Sequence, residues 1–214
     1  MLKAIAIVQA RIGSARLPGK SLLPISGQPM LRQVLNRALA IRGLDMVVLA
    51  TTDQEHDKPV AAVAQAMRVP AFCGSEHEVL NRFRQVAEAF HADLIMRLTG
   101  DCPLLAPDVC ERVLTVARSL PEMAYVTNDT LSSGYPDGTD CEVFTMATLR
   151  AADAAIPQKP SGSGSTHHGI VPHPQEQLGP VDGSVYDREH VTRWMRRSVP
   201  THTVEAPGNW RQYK

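Results

Sequence analysis

A chain of 214 residues is long enough to bury a sizeable core as one domain, or as one domain with a small appendage. Its 22 lysines and arginines balance 22 aspartates and glutamates, which argues against a general nucleic-acid or membrane-surface binder. Any anion it holds must therefore be gripped locally. Apolar residues make up 43% and aromatics 5%, so the expected core is mostly aliphatic. The four cysteines, Cys73, Cys102, Cys110 and Cys141, show no C-x-x-C spacing and read as reduced thiols rather than zinc ligands. The apolar run at the N-terminus is too short for a signal peptide or a membrane span, and Gln9 and Arg11 follow at once. A cytoplasmic protein is the expectation.

Ala4 to Val8 is a short apolar run with β-branched residues, the pattern of a strand buried on both faces. Met46 to Ala50 and Leu94 to Leu98 repeat it, and Ala71 to Cys73 is a weaker version. Helical spacing lies between them. It joins Met30, Leu31, Val34, Leu35, Ala38 and Leu39, and returns over Val60 to Met67. Ser75 and Glu78 predict a capping box before Val79, Leu80 and Phe83, and Pro107 suits the first turn of a helix carrying Val109, Val113 and Val116. Strands alternating with helices predict a mostly parallel sheet covered on both faces. Farther along, Ala124 to Thr127 and Cys141 to Phe144 read as strands around a turn-rich segment, and Thr145 to Ile156 as a helix. Residues 157–185 are rich in Pro, Gly, Ser, His and Gln and read as a flexible insertion after an α/β domain of residues 1–156. In residues 186–214, Asp187 is placed as the N-cap of a helix over Arg188 to Arg197, and Thr201 to Glu205 as one more strand of the same domain.

The chemistry concentrates in Gln9-Ala-Arg-Ile-Gly-Ser-Ala-Arg-Leu-Pro-Gly-Lys20, directly after the first strand, where open α/β sheets place ligands. Glycines let backbone N–H groups approach phosphate oxygens, arginine forks match those oxygens in pairs, and lysine adds a point charge. The competing reading is a solvated basic loop; three cations beside one strand end in a neutral protein favour the anion site. The segment is not a P-loop: five residues separate Gly13 from Gly19, and Pro24, Gly27 and Pro29 forbid a helix opening at Lys20.

Arg11-x-Gly-Ser-x-Arg-Leu-Pro-Gly-Lys20 resembles the opening motif of the sugar-acid cytidylyltransferases, the family of the CMP-Kdo and CMP-sialate synthetases, and most of all its spore-coat polysaccharide biosynthesis protein F branch. Further matching stretches are Ala50-Thr-Thr-Asp53, Gly74-Ser-Glu76 with Val79-Leu80, Arg97-Leu-Thr-Gly-Asp-Cys-Pro-Leu104, Tyr135-Pro-Asp-Gly138 with Glu142-Val-Phe144, and Arg188-Glu-His-Val-Thr192. Each is weak alone; the ordered set is specific. The resemblance implies a Rossmann-like, GT-A-like three-layer α/β fold, and a homodimer is the expected assembly. It implies a nucleotide site made by Gln9, Ala10, Arg11, Gly13, Ser14, Lys20, Thr52, Arg97 and Gly100, with Arg11, Arg16, Lys20 and Asp101 as the reacting-centre residues. It also implies an acceptor site made by Asn128, Asp137, Gly138, Asp140, Glu142, Arg188 and His190.

Several of these residues carry a second reading. Asp101, at the end of a strand and before Pro103, is either a turn or capping aspartate or a magnesium ligand facing phosphates, and the resemblance selects magnesium. Arg97, inside an apolar strand, needs an anionic partner, either a structural carboxylate or a ligand phosphate. Asp53 reads as a cap for the next helix. Three carboxylates between Tyr135 and Glu142 are either solvated surface or acceptors for sugar hydroxyls. His167, His168 and His173 read as an incidental cluster rather than a metal site.

The implied reaction is attack by the anomeric hydroxyl of a sugar acid on the α-phosphorus of CTP, with pyrophosphate leaving. Such a step asks for positioning and charge neutralisation more than covalent catalysis. Two other expectations stand beside it: a sugar-nucleotide glycosyltransferase on the same scaffold, and a member that binds nucleotide without turnover. The second draws on the C-terminus, Asn209-Trp-Arg-Gln-Tyr-Lys214, where the family's second metal carboxylate is expected and not found.

Overall fold

The computed structural model describes residues 2–14, 17–120, 123–130, 132–157, 188 and 190–208. The insertion read at 157–185 lies almost wholly outside the described residues, as do Arg16, the three histidines of that segment, Asp187 and residues 209–214.

Strand β1 (Ala4–Gln9) is an interior strand of a seven-stranded sheet. β4 (Met46–Thr52) and β6 (Leu94–Thr99) flank it, both parallel, and β5 (Ala71–Gly74) lies parallel outside β4. β8 (Glu142–Thr145) pairs antiparallel with β6 and also with β7 (Tyr125–Thr127). β9 (Thr201–Thr203) closes the sheet, parallel to β7, giving the order β5-β4-β1-β6-β8-β7-β9. A separate hairpin, β2 (Pro24–Ile25) with β3 (Gln28–Pro29), follows the first loop.

The alternation along β1 builds the three layers. Ala4, Ala6 and Val8 join the core beneath α1 (Met30–Leu39), α2 (Lys58–Ala66) and α4 (Pro107–Arg118). Ile5 and Ile7 face the opposite core, beneath α3 (Val79–Ala89), α5 (Met146–Ala155) and α6 (Arg193–Ser198). Because β1 is buried on both faces, it reads in sequence as a continuous apolar run rather than an alternation. The α/β three-layer class expected from the sequence is the one observed.

Three local expectations need correction. The capping box before α3 is half formed: the Glu78 N–H donates to Ser75 Oγ at 3.3 Å, but the Glu78 carboxylate turns away to Arg188 at 3.0 Å. A buried arginine outbids a backbone N–H at the chain surface. Asp53 does not cap the following helix; it is exposed, a 3-10 turn (Glu55–Asp57) intervenes, and Asp57 takes the interior position. The helix placed over Arg188 to Arg197 is not continuous, since a bend and turn at residues 190–192 precede α6.

Candidate active site

The site is built at the C-terminal ends of β4, β1 and β6, where a parallel sheet directs its loops to one edge. Two backbone contacts bring these ends together. The Ala10 N–H donates to Ala50 O at 3.2 Å, and the Gly100 N–H donates to Gln9 O at 2.8 Å. A Cβ on Gly100 would stand 2.7 Å from Ala10 Cβ and 3.1 Å from Gln9 O, so the glycine is what allows the loop after β6 to lie against the loop after β1.

The first loop doubles back on itself. The N–H groups of Ser14 and Gly19 both donate to Ile12 O, at 2.7 and 2.9 Å, and Gly19 takes the left-handed conformation with φ 74°. Ile12 N–H is held at 2.6 Å by Asp57 Oδ1, whose other oxygen accepts from Thr52 Oγ1. Asp57 is fully buried and was not singled out from the sequence; an aspartate just ahead of the Lys58-Pro59 helix start was its signal. Lys20 then opens a single 3-10 turn (Lys20–Leu22), and the first α-helix begins only at Met30, as the prolines and glycine after Lys20 require.

This folding places the cations. Lys20 Nζ forms an ion pair with Asp101 Oδ2, so the end of the first loop meets the carboxylate that follows β6. Burial alone would raise the Asp101 carboxyl, but the Lys20 ammonium outweighs it and holds the carboxyl below its ordinary range. Both side chains keep part of their surface in solvent, 23% for Lys20 and 34% for Asp101. Arg11 pairs with Glu76 at 3.0 Å, which ties the first loop to the segment after β5 across the end of β4. Glu76 also lies 3.1 Å from where a Cβ on Gly13 would stand. Thus Gln9, Ala10, Arg11, Gly13, Ser14, Lys20, Thr52, Gly100 and Asp101 gather at one edge of the sheet.

The residues expected to form the acceptor site divide differently. Glu142 is 3% exposed and accepts from Tyr125 Oη, from Thr192 Oγ1 at 2.8 Å and from Arg196 Nη2 at 2.8 Å, and pairs with Arg97 Nη1 directly across β6 and β8. Burial opposes its charge, but Arg97 and then Arg196 hold its carboxyl far below the usual range. Its oxygens are spent on the protein, so it stands beneath the site rather than in contact with a sugar; this corrects the sequence reading of Glu142. Arg97 takes the structural-carboxylate alternative, although its Nε is buried without a partner among the described residues. Asn128 is also used internally: its amide donates to Thr139 O at 3.0 Å and accepts from Cys141 N at 2.7 Å, shaping the turn that carries Gly138 at φ 87°.

Arg188 is a second correction. It is 1% exposed and donates to Glu78, Asp153 and the carbonyls of Pro157, Asp153 and Ile156, which locks α3 to the end of α5. A guanidinium with every face engaged in this way has nothing left for a sugar carboxylate. Asp137 is exposed, and Asp140 and His190 are partly exposed. Burial, then repulsion from Asp129, raises the Asp140 carboxyl to about 6. Sequence reasoning also missed Arg196, which joins Asp129 to Glu142 and lies 5.6 Å from the Tyr125 ring centroid.

One carboxylate at the mouth of a cationic loop fits magnesium. That ion dehydrates reluctantly and is commonly held through one or two carboxylates plus substrate phosphates. Among the described residues no group of three or more His, Cys, Asp or Glu side chains forms a ready-made cage, so phosphate oxygens would have to complete the coordination around Asp101.

Residues 5–143 match the cytidylyltransferase family, and the chain belongs to it. The spore coat polysaccharide biosynthesis protein SpsF of Bacillus subtilis is 41% identical over 111 residues, covering 49% of this chain and 45% of that protein. The 3-deoxy-manno-octulosonate cytidylyltransferase of Escherichia coli is 35% identical over 128 residues, 59% of this chain and 51% of that protein. The chain thus spans about half the length of these curated relatives. Among solved structures, a cytidylyltransferase from Leptospira borgpetersenii superposes with a TM-score of 0.78 at 24% identity, over 96% of this chain and 77% of that one. A CMP:2-keto-3-deoxy-manno-octonic acid synthetase solved with CTP superposes with a TM-score of 0.64 at 22% identity, over 96% and 91%. These two likenesses establish the fold. No helix among the described residues is long and apolar enough to cross a membrane.

Proposed function

We propose that this protein is a magnesium-assisted, CTP-dependent cytidylyltransferase that activates a sugar acid of the octulosonate or nonulosonate kind as its CMP-sugar, supplying surface polysaccharide synthesis. The observation that carries the reading is the meeting of Lys20 with Asp101 at the joined ends of β1 and β6. A metal-bound triphosphate would need a cation for its phosphate oxygens and a carboxylate for its metal, and this pair supplies one of each. With nucleotide bound, Lys20 would hold a phosphate oxygen and Asp101 would hold magnesium, which would supply charge neutralisation at the phosphates. The E. coli relative named for 3-deoxy-manno-octulosonate supports the acceptor class.

In the transfer, the anomeric hydroxyl of the sugar acid gives up its proton to solvent and its oxygen bonds to the α-phosphorus, the bond from that phosphorus to the bridging oxygen breaks, and pyrophosphate departs with the electron pair. Magnesium would supply neutralisation of phosphate charge and polarisation of the α-phosphoryl group. Arg11, Arg16 and Lys20 stabilise the charge that grows on pyrophosphate. Asp57, by accepting from the Ile12 N–H, fixes the backbone next to Arg11 in the first loop.

The test is thermal stabilisation by CTP, UTP, ATP and GTP, each with magnesium, followed by single-turnover release of pyrophosphate with Kdo-type and nonulosonic acids. CTP should stabilise most, because at equal concentration the ligand with the lowest Kd for the native state stabilises it most. Equal shifts with all four nucleotides would sink the base preference. Binding of CTP without pyrophosphate release from any acid would leave a nucleotide binder and sink the transferase.

A further inference from the structure

The carboxylates of Asp129, Asp137, Asp140 and Glu142 surround the turn that leads into β8. Glu142 is bonded to Arg97 and Arg196, and Asp129 is bonded to Arg196. Asp137 is exposed. Asp140 is half-buried and accepts from the Gly138 N–H, and no cation pairs with it among the described residues. The arginines near it are spent on its neighbours. Its carboxyl, raised to about 6 by burial and then by Asp129, is ionised at neutral pH yet takes a proton more readily than an ordinary carboxylate.

The register of the sheet brings this carboxylate to the site. β8 runs antiparallel to β6, with Arg97 opposite Glu142, and antiparallel to β7, with Thr127 opposite Glu142. The Cys141 N–H donates to Asn128 Oδ1 at 2.7 Å and the Asn128 N–H to Cys141 O at 3.4 Å, so the chain stays beside β7 past the end of the ladder. One residue further the same register sets Asp140 beside Thr99 on one side and Asp129 on the other. Alternation turns it to the face of Phe144, away from Cys141 and Val143. Thr99 is paired with Gln9 and stands just before Gly100 and Asp101, and neighbouring strands lie about 5 Å apart. Cys102 feels both carboxylates: burial first, and then the charges of Asp101 and Asp140 against a hydrogen bond to Thr99, raises its thiol to about 11. Asp140 thus stands one strand from the carboxylate proposed for magnesium, on the far side of β6 from the first loop.

We propose that Asp140 is the general base of the transfer, the group through which the proton of the attacking sugar hydroxyl leaves for solvent. This rests on the cytidylyltransferase reading above. As the hydroxyl oxygen bonds to the α-phosphorus, its proton passes to an Asp140 Oδ. The bond from phosphorus to the bridging oxygen breaks, and pyrophosphate takes the electron pair. The partly exposed carboxyl then releases the proton to water and is a carboxylate again. The groups around it are less suited. Glu142 and Asp129 hold arginines, Asp101 holds Lys20, Cys102 is a protonated thiol, and Asp137 lies in solvent.

The experiment is single-turnover release of pyrophosphate from CTP with magnesium and Kdo-type and nonulosonic acids, for the wild type, Asp140→Asn and Asp140→Glu, from pH 5 to pH 8. Asparagine keeps the shape and removes a charge from a desolvated place, so the variant folds. At pH 7.5 it should be slower by roughly 10²- to 10⁴-fold, with magnesium-CTP affinity within about twofold of the wild type. The wild-type rate should fall as pH drops through about 6, where the base gains its proton. Asp140→Asn should lack that fall, apart from the slope that the nucleotide's own phosphates give to every variant. Asp140→Glu should be slower than the wild type and keep it. An asparagine variant of nearly wild-type rate, or one with the wild-type pH profile, overturns the proposal. So does a rate restored by more magnesium, which would make Asp140 a metal ligand, or by more sugar acid, which would make it a binding residue. A wild type that releases no pyrophosphate from any acid is a different failure, that of the transferase reading, and takes the base with it.

Discussion

Replacing Gly100 by alanine tests whether the joint between the loop after β1 and the loop after β6 organises the site. The φ of Gly100 lies outside the left-handed region, so the penalty is steric rather than conformational. The new methyl would meet Ala10 Cβ at 2.7 Å, Gln9 O at 3.1 Å and Leu31 Cδ1 at 3.3 Å. The first two contacts belong to backbone or to a Cβ fixed by backbone, and only the leucine methyl can swing aside. Overpacking of this kind costs about 1–3 kcal/mol, and the rigidity of the neighbours places Gly100→Ala in the upper half of that range. For a chain of this length each kcal/mol moves the melting temperature by about 2–4 °C, so a fall of roughly 4–12 °C is expected. Relief comes by moving the Gln9–Arg11 segment away from Gly100, which also separates Lys20 from Asp101. Magnesium-CTP affinity should therefore fall at least tenfold at a temperature where the variant is folded. Thermal unfolding and titration at 15 °C measure the two effects. A melting temperature within 1 °C of the wild type would refute the close-approach argument, and a destabilised variant with unchanged CTP affinity would refute its link to the nucleotide.

Lys20→Ala should weaken CTP binding roughly 10- to 100-fold while changing CMP binding little, because charge-assisted contacts to the terminal phosphates are lost; equal losses for both would place the lysine elsewhere. Arg188→Ala should cost about 3–5 kcal/mol in urea unfolding by stranding Glu78, Asp153 and three carbonyls. Its nucleotide affinity should stay within twofold in the cold; a selective loss of sugar-acid binding would instead restore the acceptor role. Asp140→Asn has a pH signature. The folded carboxyl titrates at about 6 against about 3.9 unfolded, so its ionisation costs stability that sets in as pH rises from about 4 to about 6 and then stays constant. With a discount for residual solvent, the substitution should stabilise by about 1–2 kcal/mol at pH 7.5 and by nothing at pH 4. A gain that does not depend on pH would refute the sign.

The first loop was legible in sequence because its constraints are local. Proline at 24 and 29 and glycine at 19 and 27 act through φ and missing N–H groups, whatever the rest of the chain does. The parallel strands were legible for a related reason: burial on both faces leaves an apolar run with no alternation to confuse it. The charged interior was not legible. Glu142 and Arg188 looked like ligand residues because a carboxylate or guanidinium in a motif has the same chemistry whether it meets a substrate or another side chain. Their partners lie far away in sequence, Arg196 and Arg97 for Glu142, Glu78 and Asp153 for Arg188.

Sequence by itself therefore determined the layer architecture, the absence of a Walker-type helix at Lys20 and the cationic character of the first loop, since periodicity, proline sterics and net charge are properties of short windows. Only the tertiary structure decided that Lys20 meets Asp101, that Asp57 anchors the first loop while Asp53 stays exposed and caps no helix, and which buried charges are spent on partners within the protein. Those outcomes depend on competition among groups up to 110 residues apart for the same few acceptors, and burial makes each unpaired group cost enough to settle that competition.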